Sequence, residues 1–155
     1  MKKLKIAAAL AAAAILFAGC GAQPESSSKY DFTMPDPPTE FVVTTITDAA
    51  DDSVKYAALQ FDGKTYIKYG TLNGELNSSD LGSCLGYLVQ DDQKITDIGI
   101  FPLSSDPDMN YLVTLDNKGI MDKPSFFRNS ETVGKDISTP SFIESEGNNY
   151  WTTSN

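Results

Sequence analysis

With 155 residues, 21 acidic against 12 basic side chains and no histidine, the chain has the length of one ordinary domain and a strongly acidic balance. The lack of histidine excludes Ser-His-Asp and Cys-His nucleophilic catalysis and any metal held by imidazole. The acidity is repelled by phosphate backbones, which demand clustered Lys and Arg, so nucleic acid is not an expected partner.

In chain order, Lys2, Lys3 and Lys5 make a basic start, residues 6–18 an uncharged alanine-rich run, and the small residues Ala18 and Gly19 lead into Cys20. That succession matches the charged region, apolar region and cleavage site of a secretory leader. It is a poor match to a transmembrane helix, which needs roughly 20 apolar residues. The segment Leu16-Phe17-Ala18-Gly19-Cys20 resembles the lipobox of bacterial lipoproteins, with Phe17 where leucine is commonest. The resemblance implies a diacylglycerol on the Cys20 thiol, cleavage by signal peptidase II between Gly19 and Cys20, and Cys20 as the first mature residue. Membrane lipid is then the first partner, because each buried methylene contributes about 0.8 kcal/mol and two or three acyl chains hold where one holds marginally. The implied location is the extracytoplasmic face of a bacterial membrane. Gly21, not aspartate, follows Cys20, which the lipoprotein sorting pattern associates with transfer to the outer membrane in a double-membrane cell. Loss of residues 1–19 with their three lysines takes the formal charge from −9 to about −12.

Residues 20–39 read as a lipidated cysteine and a flexible tether, with Ser26-Ser27-Ser28 and then Pro35, Pro37 and Pro38 resisting packing. At up to about 3 Å per residue, such a segment would lift a domain several nanometres from the bilayer. Residues 40–155 then form a single globular domain.

The strongest local signal there is Asp62-Gly63 between the runs 56–61 and 64–69, a type I′ hairpin in which both central residues take positive φ. It pairs Phe61 with Lys64 and Leu59 with Tyr66, and puts Tyr56, Ala58, Ile67 and Tyr69 on the other face, expected to be the core side. Further strands are expected at 41–46, 85–89, 95–101 and 111–115, with turns at Asp91-Asp92-Gln93, at 104–108 and at 116–119. No amphipathic helical spacing is sustained after Cys20. The expected fold is mainly β, an antiparallel sandwich or a partly open barrel, with Ser79-Asp80-Leu81 as one short helical turn that keeps an α+β alternative open. From Pro124 onward strand signal thins. Phe126, Phe127, Phe142, Tyr150 and Trp151 are expected to pack back over the sheet; the alternative is an exposed platform for a sugar or peptide.

Chemistry-bearing motifs are sparse. Cys84 is left without a partner once Cys20 is lipidated, and its leucine and glycine neighbours suit a small buried hydrophobe. Ser26-Ser27-Ser28-Lys29 matches the S-x-x-K pattern but lies in the tether. Gly63-Lys64-Thr65 ends like a phosphate loop inside a hairpin. The pairs Asp51-Asp52, Asp91-Asp92 and Glu144/Glu146 fall at turns. Asp106, Asp108 and Asn110 stand at the first, third and fifth positions of a hand-type calcium loop, which lacks its glycine (Tyr111) and its closing glutamate (Asn117). Asn77-Ser78-Ser79 fits a glycosylation acceptor but not the bacterial compartment.

No catalytic or metal-binding residue and no cofactor is assigned. Residues 81–87, with Asp106-Pro107-Asp108 and Asn110-Tyr111-Leu112, resemble small bacterial envelope lipoproteins, and the resemblance carries over no functional residue except Cys20. The expected function is a lipid-anchored binding or interaction module meeting an envelope protein or glycan. The alternatives are a small hydrolase using carboxylates alone and an accessory substrate-capturing lipoprotein.

Overall fold

A computed structural model describes residues 30–49, 51–117 and 123–152. Eight strands run in chain order: β1 (Thr39–Thr47), β2 (Lys55–Phe61), β3 (Lys64–Leu72), β4 (Gly86–Gln90), β5 (Gln93–Pro102), β6 (Tyr111–Asp116), β7 (Ser125–Asn129) and β8 (Ile143–Ser145). The order β2-β1-β4-β5-β6-β7-β3 closes on itself through a β2–β3 pairing, and β8 adds an extra strand to β3. The fold is therefore mainly β, and of the two expected forms it is the barrel, closed rather than partly open. All strand pairs are antiparallel except β1 with β4, which run parallel from Thr39↔Gly86 to Val42↔Val89.

The β2–β3 hairpin has the register read from the sequence, Phe61↔Lys64 and Leu59↔Tyr66, and Asp62 and Gly63 take φ of 49° and 73°. The β4–β5 turn repeats the device with Asp91 and Asp92 at 50° and 60°. The short turn expected at Ser79 is the 3-10 turn Ser78–Asp80, where the Asp80 carboxylate accepts from the Asn77 N–H at 2.8 Å. Among the described residues the one α-helix, α1 (Asn149–Thr152), is four residues long, so no α+β layer forms.

Burial corrects which face of the hairpin fills the barrel. Leu59 and Tyr66 meet Phe41, Ile100, Leu112 and Phe127, side chains from six different strands that can converge only inside the closed sheet. The expected core face, Tyr56, Ala58 and Ile67, lies on the outside, where Tyr150 and Trp151 of α1 cover it. It is buried nonetheless, because the outer surface is packed too. A second apolar layer joins Phe101, Val113, Leu115 and Phe126 to Leu72, Leu76 and Ile143, with Tyr30 and Phe32 laid over it. As a result every residue of β6 is buried.

The tail follows the packing expectation: Phe126 and Phe127 are buried in opposite layers, Phe142 packs partly exposed against Phe126, and Tyr150 and Trp151 pack partly exposed over Tyr56, Ala58 and Ile67. Tyr69 bulges from β3 between Lys68 and Gly70. Here the C-terminal segment clasps the barrel. The Lys68 carbonyl accepts from Asn148 Nδ2 at 2.9 Å and Trp151 Nε1 at 3.1 Å, and Lys68 Nζ pairs with Glu146 at 2.8 Å. Residues 30–38, read as part of the tether, run along the barrel. The Phe32 ring stands edge-on to Phe101 with centroids 5.2 Å apart, and Met34 Sδ lies 3.9 Å from Cys84 Sγ.

Two layers predict two sensitive sites. Leu112→Ala inside and Phe126→Ala outside should each lower unfolding free energy by about 2–5 kcal/mol. Val42→Ala, at a side chain 48% exposed, should stay within about 0.5 kcal/mol; urea titration of the three variants measures this.

Candidate functional site

Because aromatic and branched side chains fill the barrel interior, concavity is found outside it. One recess among the described residues, about 380 Å³, opens between the β5–β6 loop and residues 137–140. Ser105, Asp108, Asn110 and Ser138 supply its polar groups, and Ile137 and Pro140 part of its apolar wall. That volume lies within the range of small-ligand clefts. A smaller one, about 240 Å³, lies between Phe32 and the 76–81 loop, walled by Leu76, Leu81, Phe101 and Leu115.

The loop lining the larger recess is held from several directions. Asp106 accepts from Asn110 Nδ2 at 2.8 Å through one carboxylate oxygen and from the Tyr111 N–H at 2.7 Å through the other. Met109 takes a left-handed φ of 52°, and its carbonyl accepts from the Tyr66 hydroxyl at 2.8 Å. Opposite, the Tyr111 hydroxyl bonds Thr139 Oγ1 at 2.7 Å, which ties residues 137–140 to the sheet. These bonds fix the recess before any ligand arrives, which lowers the ordering cost of binding. Both phenols are harder to ionise than usual: burial, with Asp106, Asp62 and Glu131 nearby, pushes Tyr66 up to about 12, and burial raises Tyr111.

Arg128, the chain's single arginine, is the group the sequence reading missed. Its guanidinium lies over the rings of Trp151 at 5.1 Å, Tyr69 at 5.4 Å and Tyr111 at 5.9 Å. It also donates to Thr132 Oγ1 at 2.7 Å and to the Thr132 carbonyl at 2.9 Å. Cation–π contact of this kind contributes about 0.5–2 kcal/mol each, so the cluster pins α1 and the 130–135 turn to the barrel. Its lone occurrence beside two phenylalanines was the available signal.

The motifs singled out from the sequence do not come together. Gly19, Cys20 and Ser26-Ser27-Ser28-Lys29 lie outside the described residues. Gly63-Lys64-Thr65 is the hairpin itself, with Lys64 Nζ reaching the Asp108 carbonyl at 3.4 Å. Asp51 accepts from Ser53, whose hydroxyl and N–H hold its carboxyl below the usual range, and Asp48 accepts from the Tyr56 hydroxyl at 2.6 Å. Cys84 is half-buried and burial pushes its thiol up, which suits packing better than nucleophilic attack. Among the described residues no three His, Cys, Asp or Glu side chains converge as a metal would need. Asp106 commits both oxygens to its own loop, so the recess presents the exposed Asp108 without a second unengaged aspartate beside it. Comparison with protein-family models, curated proteins and solved structures finds no match to this chain.

Three outcomes are expected. Asp106→Ala should cost about 1–3 kcal/mol by orphaning the Tyr111 N–H and freeing Asn110, whereas millimolar calcium and chelator should give the same melting temperature. Tyr66 holds its proton more tightly folded than unfolded, where tyrosine titrates near 10. Its contribution is therefore complete below pH 10 and lost as pH rises toward 12. Melting temperature against pH should fall across that window, less steeply in Tyr66→Phe.

Proposed function

We propose that this protein is a lipid-anchored binding or interaction module on the extracytoplasmic face of a bacterial membrane. The observation that carries the reading is the run from Lys2 to Cys20, a basic start, an uncharged stretch and small residues ending in a cysteine. Acyl chains on Cys20 hold the chain to the bilayer, and the acidic barrel stays in water. In this reading the partner is an envelope protein or glycan met at the barrel's outer surface, where the 104–110 and 137–140 segments form a preorganised polar recess. The filled interior supports surface recognition over enclosure of a ligand, and the absence of histidine supports recognition over catalysis.

Expression of the wild-type chain and Cys20→Ala in bacteria tests the anchor. The wild type should pellet with membranes through a salt wash and carry a diacylglycerol-sized mass increment on its N-terminal peptide. Cys20→Ala should appear in the soluble fraction, and a variant that still pellets, or a wild type with an unmodified thiol, would overturn the reading.

A further inference from the structure

We propose that residues 30–38 are a seated strap that halves the leash between the lipid anchor and the barrel and brings the barrel out over the membrane from its Tyr30 side. The seat is cut into the outer face of β5. Gly99 has no side chain there, and a Cβ built on it would meet the Phe32 ring at 2.7 Å. The ring drops into that notch against Phe101, and Tyr30 and Phe32 both pack on the outer apolar layer. Further along, Met34 rests on Cys84, and the Thr39 N–H donates to the Leu85 carbonyl at 3.1 Å where β1 begins. The strap is thus fastened at both ends of its path.

The consequence is a matter of reach, and it rests on the lipid-anchor reading. From Cys20 to a barrel attached only at Thr39, the 18 intervening residues span at most about 60 Å when extended. With the strap seated, only residues 21–29 intervene, and their limit is about 30 Å. A barrel of this acidity would be pushed away from anionic headgroups, and the seated strap caps how far. It also selects the exit point, beside the smaller recess that Tyr30, Asp31 and Phe32 help to wall.

Two variants unseat the strap from opposite sides. Phe32→Ala removes the ring without touching the barrel, and Gly99→Val fills the notch. The full-length lipidated protein is placed in phosphatidylcholine vesicles containing a dansyl-headgroup lipid, and energy transfer from Trp151, the chain's single tryptophan, reports height above the bilayer. Trypsin cleavage after Lys29 reports strap seating in the same sample. Phe32→Ala, with circular dichroism unchanged, should lower transfer at least twofold and speed cleavage at least tenfold, and Gly99→Val should match it if its barrel folds. Wild-type transfer and cleavage rates in Phe32→Ala would overturn the strap and leave the anchor standing. A wild-type chain that does not bind the vesicles would overturn both.

Discussion

β6 is buried along its whole length, on the barrel side by Leu112 and Thr114 and on the outer side by Tyr111, Val113 and Leu115. A strand covered on both faces demands two apolar layers, yet a seven-strand barrel supplies only the inner one. The outer layer must come from elsewhere in the chain. It is assembled from segments outside the barrel: Tyr30 and Phe32 ahead of β1, Leu76 and Leu81 in the β3–β4 connection, and Ile137, Phe142 and Ile143 near the C-terminus. α1 performs the same service for β1, β2 and β3. A small sheet gains apolar burial in this way that its enclosed volume could not provide, at roughly 25 cal/mol per Å².

What the sequence disclosed and what it hid divide along the same line. The six strands with alternating or β-branched composition were legible, and so were the turns at Asp62-Gly63 and Asp91-Asp92, because their signals are local. β7 was not, since Phe126 and Phe127 are adjacent apolar residues destined for different layers and give no alternation. β8 is three residues that pair only because β2 leaves β3 after Ile67, and that edge is taken up again at Gly70. Tyr30 and Phe32 sit among serines and prolines, so composition pointed to a tether while two aromatic rings had an apolar surface to cover. The choice of core face failed for a related reason: with both faces of the hairpin apolar, only closure of the barrel decides which one points inward.

The candidate recess was the least legible feature, because its two walls are separated by some 30 residues and joined through Tyr111 and Thr139. No local pattern announces that meeting. Asp106, which reads like the first ligand of a calcium loop, is a structural acceptor instead, and its neighbours turn outward around it. The same arrangement argues against a carboxylate hydrolase at this place, where one aspartate is needed to keep the loop in shape. Recognition asks less: a rigid polar rim, an apolar patch and access from solvent.

Closure also limits the strand edge that this protein can offer to copies of itself. An open sheet offers bare amide and carbonyl rows on which a neighbour's backbone can zip. In this sheet the last strand in the order is β8, three residues long, with Glu144 outward and Glu146 immediately after it. A foreign strand laid along that rim would gain few backbone bonds and set its own acidic surface against the Glu144 carboxylate. Crowding therefore carries little risk of edge-to-edge polymerisation through this rim.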